Sequence, residues 1–323
     1  MASKVTITLP NGQKMPALGF GTWQAKDEAV LTEALESALE AGYRHIDTAP
    51  VYENEHVIGK VLNKWIQSGK VKREELFIVT KLPPTGSRPG GAEKWIKKSL
   101  NDLQLNYLDL YLIHTPFTFE EIGDDLHPKD ESGKIKIDKS TDHIAVWKEM
   151  EKQVSAGRTK AIGLSNFNIK QIEKVISVAK EPIANLQIEL HAYFQQNEMV
   201  KFCKKKGITV TAYSPLGTRG FVNLIGKNEQ IPIIMDNSEL IKIGKKYNKS
   251  SAQIALKFII QKDIAAIPKS TNPKRIQENI DLFDFELDSD DIKILNSLDQ
   301  GPSARICDFD FFAGIREHPE YPF

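Results

Sequence analysis

Gly42-Tyr43-Arg44-His45-Ile46-Asp47-Thr48-Ala49 holds a short apolar run, Tyr43–Ile46, closed by a carboxylate. The construction recurs downstream. Lys81 closes Leu76–Thr80 and His114 closes Tyr107–Ile113, while Tyr52 stands in the loop just past Asp47. Chains that alternate strands with helices carry their chemistry at the C-terminal ends of the strands. A carboxylate, a phenol, an ammonium and an imidazole brought to one such face form an acid–base cluster suited to protonating a carbonyl oxygen.

Working outward, the pattern predicts eight strands: Ala17–Gly21, Tyr43–Asp47, Leu76–Lys81, Tyr107–His114, Ala161–Leu164, Ala184–Glu189, Thr209–Tyr213 and Ile264–Ile267. Helical periodicity falls between them, at Asp27–Ala41, Asn54–Gln67, Ala92–Leu103, Asp142–Ser155, Lys170–Ala179, Asn197–Lys205, Ser251–Gln261 and Lys274–Asn279. In the first helix Val30, Ala34, Leu35, Ala38 and Leu39 form the expected apolar stripe, and Gly42 is placed to stop it. In the seventh, Ser250 or Ser251 caps, and Ile254, Ala255, Phe258 and Ile259 face inward. Ahead of all this, Asn11-Gly12 between Val5–Leu9 and Lys14–Leu18 predicts a hairpin covering one end.

Eight strand–helix units over about 250 residues match a closed (β/α)8 barrel, the TIM barrel. An open doubly wound sheet would need a G-x-G-x-x-G turn after its first strand. Here Gly19 and Gly21 are followed by Thr22-Trp23, and the third glycine is missing. One α/β domain over residues 1–323 is expected. Two connections are too long for plain loops, Pro116–Thr141 and Pro215–Asp236. Both leave C-terminal strand ends and can arch over a site. The tail after Asp299 is rich in aromatics (Phe309, Phe311, Phe312, Tyr321, Phe323) and is expected to pack across the same face.

The 323 residues are 41% hydrophobic and 27% charged, enough for one large core, and 43 basic residues balance 43 acidic ones. That balance gives no bias toward nucleic acid or an anionic membrane. The N-terminus lacks an apolar signal core and no long apolar run is present. Cys203 and Cys307 fit neither a disulfide scaffold nor a zinc site, so a reducing cytoplasmic setting without metal is expected.

A carbonyl accepting hydride gathers negative charge on oxygen. Tyr52 can supply the proton. Lys81 would lower its pKa, Asp47 would keep Lys81 charged and fixed, and a neutral His114 would orient the substrate oxygen. Each residue singly has an ordinary structural explanation, as loop anchor, ion pair or satisfied histidine; four together at strand ends do not. No flavin or metal motif is present, so a nicotinamide is the economical hydride source. Ser165, Asn166 and Gln187 can hydrogen-bond a carboxamide, and Tyr213 offers a ring to stack on it. Ile267-Pro268-Lys269-Ser270-Thr271, with Arg275, Glu278 and Asn279, forms an anion and adenine site at the start of the eighth barrel helix.

The spacing of Asp47, Tyr52, Lys81 and His114, with Tyr52-Glu53-Asn54-Glu55 and Val79-Thr80-Lys81-Leu82 around them, resembles the aldo-keto reductase superfamily, in its aldose and aldehyde reductase branch. The resemblance covers essentially the whole chain. It implies Tyr52 as general acid, Lys81 and Asp47 as its tuners, and His114 as the orienter. The Lys269-Ser270…Arg275…Glu278-Asn279 pattern implies NADPH over NADH. By the same similarity Thr22, Trp23, Asp47, Ser165, Asn166, Gln187, Tyr213, Ser214, Leu216, Lys269, Ser270, Thr271, Arg275, Glu278 and Asn279 line the cofactor groove. Trp23, Val51, Tyr52, His114, Thr115 and Cys307 would meet substrate.

Three departures follow. Gly220 stands where aldose reductase-like members carry an acidic clasp for the Lys269 equivalent, so either cofactor release is expected to be faster or Asp236 or Glu229 to substitute. Thr115 and Pro83 stand where aldose reductase has tryptophans. The pocket is therefore expected to be wider, or rebuilt from Phe117, Phe119, Phe221, Phe309, Phe311 and Phe312, and to take bulky carbonyls such as steroids or aromatic aldehydes. Some insect members of the family reduce 3-dehydroecdysteroids, which makes such ketones candidates. A monomer acting on a small carbonyl compound is expected. The alternatives are a nicotinamide-binding module with little turnover, as in members that serve as channel subunits or lens proteins, and a sugar-phosphate isomerase on the same barrel. The intact tetrad opposes the first; the amide trio and Tyr213 oppose the second.

Overall fold

The computed structural model describes residues 5–226 and 231–323. β1 (Thr6–Thr8) and β2 (Lys14–Pro16) form the antiparallel hairpin, with Gly12 supplying the positive φ of its turn. Eight parallel strands follow in chain order: β3 (Phe20–Gly21), β4 (His45–Asp47), β5 (Phe77–Leu82), β6 (Leu110–Ile113), β7 (Ile162–Ser165), β8 (Ile183–Glu189), β9 (Thr209–Tyr213) and β10 (Ala265–Ala266). The ends of the sheet meet. Leu18 bridges Ala266 in parallel, the Gly19 amide donates to the Ala266 carbonyl, and the Ala266 amide donates to the Ala17 carbonyl. Closure leaves no open edge to attract another strand. This is the (β/α)8 barrel.

Strand β5 shows how the sequence does this. Its residues Phe-Ile-Val-Thr-Lys-Leu are buried on both faces, as parallel strands require. Phe77 and Val79 join Met15, Leu110 and Leu112 in the core that the hairpin seals from below. Ile78 and Leu82 face the helices, among Ile58, Leu62, Ile96 and Tyr111. Alternation then turns Lys81 inward and Thr80 outward.

Helices α1 (Glu28–Ala41), α2 (Glu55–Gln67), α3 (Gly91–Leu103), α4 (His143–Ser155), α5 (Ile169–Ile176), α6 (Asn197–Lys206), α9 (Ser251–Gln261) and α10 (Pro273–Ile280) take the expected places. Asp27 caps α1, Ser250 caps α9, and Gly42 ends α1 at φ +101°. Three more were not predicted: α7 (Arg219–Leu224) inside the long connection after β9, α8 (Ser238–Tyr247), and α11 (Ser289–Asn296).

The strands start later than their apolar runs at Ala17, Tyr43, Tyr107 and Ile264, whose residues are held by contacts outside the regular ladder. Tyr107, for example, lies flat under Arg73, 3.9 Å from its guanidinium. Helix α5 stops at Ile176, three residues early. Val30 is 41% exposed and does not belong to the inward stripe of α1. The buried face centres on Leu31, Leu35 and Ala38, and Val30 lies about 100° round from Leu31 on the uncovered first turn.

The tail crosses the C-terminal face. Phe309 and Ile315 bury Phe117 and Phe119 beneath them, and Phe309 stacks on Phe323.

Candidate active site

Asp47 closes β4, Lys81 sits near the end of β5, and Tyr52 ends a tight turn, Pro50–Tyr52, between β4 and α2. The Lys81 ammonium is fully buried and spends its three hydrogens on three acceptors: Asp47 Oδ1 at 2.7 Å, the Thr48 carbonyl at 2.9 Å and the Tyr52 hydroxyl at 3.2 Å. The other Asp47 oxygen accepts from Gln187 Nε2 at 2.8 Å. Thr22 Oγ1 donates to the Asp47 carbonyl, and Asn54 donates to the carbonyls of Thr22 and Ala25. A buried charge survives only when paired and hydrogen-bonded in this way.

His114 follows β6. Its ring meets that of Tyr52 edge to face at 5.8 Å. Burial, and then the nearby Lys81 charge, hold the imidazole well below its ordinary pKa, so it is neutral. Burial lowers Lys81 against the pull of Asp47. One expectation is corrected. Lys81 does not bring the Tyr52 phenol down; burial and then the Asp47 carboxylate push it well up. Desolvation of a phenolate outweighs one ammonium whose charge is already shared with Asp47.

The amide trio lies together but is partly committed. Asn166, in the left-handed conformation at φ +65°, donates to the His114 carbonyl and to Ser165 Oγ, and accepts from the Tyr213 hydroxyl at 2.8 Å. Gln187 is tied to Asp47. These bonds fix the side chains before any ligand arrives. Ser214, at φ +51°, and Leu216 follow Tyr213. Thr115 donates to the Phe117 carbonyl, and Val51 is half-buried beside Tyr52. Trp23 packs edge-on to Phe221 of α7 at 4.9 Å, and Phe221 meets Phe311 of the tail at 5.4 Å. The tail's aromatics are thus drawn over the mouth, with Phe117 and Phe119 as their floor.

At the β10 end, Ser270 Oγ accepts from the Asn272 amide, Asn272 caps α10, and Pro273 occupies its first turn. Lys269 stands at the rim. Partial burial, and then Arg275, lower its pKa, and among the described residues no carboxylate lies within ion-pair distance. Two cations beside a helix start fit an anion such as a phosphate. Asn279 is buried near them, whereas Glu278 lies 3.9 Å from Lys274. Gly220 has open space where a Cβ would point. Of the two candidate clasps, Asp236 pairs with Arg219 at 3.8 Å on its own connection, and Glu229 lies outside the described residues.

The Aldo/keto reductase family pattern matches residues 17–300. The chain belongs to the aldo/keto reductase family. It is 44% identical over 295 residues to aldo-keto reductase family 1 member A1 of Gallus gallus, covering 91% of this chain and 88% of that one. It is 41% identical over 327 residues to member A1-A of Danio rerio, covering 98% of each. The solved structure of the aldose reductase from Schistosoma japonicum superposes with a TM-score of 0.89 at 38% identity, over 98% of both chains. Carbonyl reduction in general, with a nicotinamide cofactor, is what this membership supports.

Residue-by-residue reading missed Glu189 in this aldo/keto reductase. Its carboxylate is buried at the end of β8, where it accepts the amides of Ile306 and Cys307 at 2.7 Å each and meets His191 at 3.0 Å. Burial pushes the carboxyl up, and His191 with the two amides more than offsets this. Glu189 therefore moors the root of the tail to the barrel. It also fixes Cys307 beside Tyr52 and Tyr213, with its thiol raised well above the ordinary value by burial and then by Glu189. A thiol held protonated is a poor nucleophile. A lone buried Glu in an apolar strand carries no sequence signal of a backbone-binding role.

Proposed function

We propose that this protein reduces aldehydes and ketones to alcohols with NADPH, Tyr52 acting as the general acid. The observation that carries the reading is the continuous chain Gln187–Asp47–Lys81–Tyr52, whose far end is a phenol beside the neutral imidazole of His114. The nicotinamide would supply hydride to the carbonyl carbon, held by Ser165, Asn166, Gln187 and Tyr213, with its phosphates on Lys269, Ser270, Thr271 and Arg275. Alkoxide character then grows on the substrate oxygen, which His114 orients and Tyr52 protonates. A phenol of raised pKa stays protonated at neutral pH and so holds its proton until that charge develops. Lys81 then stabilises the phenolate left behind through its 3.2 Å contact. Its charge is kept in place by Asp47.

The substrate class is bulky and hydrophobic. Trp23, Val51, Phe221 and the tail's Phe309 and Phe311 would offer apolar walls, and Thr115 and Pro83 are smaller than the tryptophans that aldose reductase carries at those places. The protein works as a monomeric domain in the cytoplasm. The test is NADPH oxidation with 4-nitrobenzaldehyde, then with a steroid ketone and glucose. Turnover that Tyr52→Phe abolishes without weakening NADPH binding supports the reading. Tight NADPH binding without turnover in the wild type would instead make it a binding module. A glucose kcat/KM above that of the ketone would remove the substrate class.

A further inference from the structure

Glu55 is the first residue of α2, three positions past Tyr52, and it is buried. Among the described residues no cation lies within ion-pair distance of it. Its partners are two hydroxyls. Thr80 donates to Oε1 at 2.5 Å, and Ser99 of α3 donates to Oε2 at 2.9 Å. Thr80 precedes Lys81 in β5 and points to the opposite face of the strand. The Glu55 carboxyl therefore joins three pieces: the segment that carries Tyr52, the strand that carries Lys81, and α3 behind them. Helix α2 has no slack against α3, since a Cβ on Gly59 would stand 2.2 Å from the Asp102 carbonyl oxygen. Burial, opposed by the two hydroxyls, pushes the carboxyl up to about 7. The titratable groups around it are Lys81 on β5, Tyr111 on β6, and Lys98 and Asp102 on α3. An unpaired buried carboxyl costs stability, so packing alone does not account for it.

We infer that Glu55, through Thr80 and Ser99, is a positioning residue that sets the separation of the Tyr52 hydroxyl from the Lys81 ammonium. That separation, 3.2 Å, is the longest of the three Lys81 contacts, and Tyr52 is the one of the three partners that lies nearest to α2 along the chain. Tyr52 ends a three-residue turn, and only Glu53, at φ +57°, and Asn54, which precedes the first residue of α2, separate it from Glu55, so a shift at Glu55 is passed over two residues to the phenol.

The inference rests on Tyr52 being the general acid, and the experiment separates the two. Full-length wild type, Glu55→Ala, Glu55→Gln, Thr80→Val and Tyr52→Phe are assayed with NADPH and 4-nitrobenzaldehyde. Glu55→Ala is expected to lower kcat about 10- to 100-fold, as a misplaced catalytic group does, while the KM for NADPH stays within about twofold because uniform binding is untouched. Glu55→Gln keeps an acceptor and the shape, and restores kcat to within about threefold of wild type. Thr80→Val lowers kcat in the same direction, and adding it to Glu55→Ala causes no further loss. A Glu55→Ala protein that melts earlier but turns over at the wild-type kcat, beside an inactive Tyr52→Phe, overturns the inference alone. An active Tyr52→Phe overturns the reading beneath it. Should Glu55→Ala not fold, Thr80→Val decides by the same measure: unchanged kcat sinks the inference.

Discussion

Lys81 and Lys269 stand at the same mouth of the barrel in opposite circumstances. Lys81 has every hydrogen committed, to a carboxylate, a carbonyl and a phenol, in a place with no solvent. Lys269 stands at the rim, and its charged neighbour is another cation, Arg275. The first arrangement is complete without a ligand, so its geometry is fixed before substrate binds. That is what catalysis by a prepositioned acid needs. The second is incomplete, and an incoming anion would relieve it. The same side chain serves as a fixture in one place and as bait in the other, and the difference lies wholly in its partners.

The largest expected effect tests the fixture. Tyr52→Phe removes the terminal hydroxyl and should cut kcat by about 10²- to 10⁴-fold, the usual worth of a positioned acid, while NADPH titration of the variant gives the wild-type affinity. Next is Lys81→Met. It leaves the Asp47 carboxylate buried with only Gln187 on its outer oxygen, and should cost about 3–5 kcal/mol in urea unfolding. Lys269→Met at the rim should leave the unfolding midpoint nearly unchanged. Equal losses from the two lysine variants would break the contrast.

The fixture was legible in the sequence because strand ends are. Apolar runs closed by Asp47, Lys81 and His114 mark the C-terminal edge of β4, β5 and β6, and a period of two sends Lys81 inward without further information. The cap residues were equally readable where a side chain does the capping. Asn237 ahead of α8 and Asp288 ahead of α11 bind first-turn amides, and those two helices were missed although that signal was present. Helix α7 has no such signal. It is six residues long and enters through Thr218 at φ +33°, a conformation imposed by the surrounding loop. The tertiary ties of Glu189 to the tail and of Glu55 to Thr80 and Ser99 join residues 25 to 118 positions apart, and no local pattern encodes them. The direction of the Tyr52 pKa failed for a related reason. Composition names the neighbouring charge, but only the packed interior reveals how completely water has been removed.

Glu55 gives the support behind the fixture a pH signature. Its carboxyl is pushed up to about 7 in the folded chain from 4.5. Between those values the native state binds more protons than the unfolded chain, so stability falls as pH rises from about 4.5 to about 7. The full span corresponds to about 3 kcal/mol. Glu55→Gln cannot ionise and should lack this component. Melting temperatures at half-unit steps across that window should show wild type declining relative to Glu55→Gln. Parallel curves would mean that the carboxyl titrates normally and that the support is looser than its hydrogen bonds imply.

The smallest effect sharpens the bait. If Lys269 and Arg275 await a phosphate on the adenosine ribose, Arg275→Ala should weaken NADPH about tenfold, roughly 1.4 kcal/mol, and leave NADH within about twofold, because NADH lacks that group. The loss should also shrink as salt is raised, since an exposed cation is screened over about 8–10 Å at ordinary ionic strength. Fluorescence titration of both cofactors at two salt concentrations reads all of this. Equal weakening of NADPH and NADH would assign Arg275 to the shared part of the dinucleotide. A salt-independent loss would mean that its planar guanidinium acts by stacking on the adenine, and Arg275→Lys separates these, because lysine keeps the charge and loses the stack.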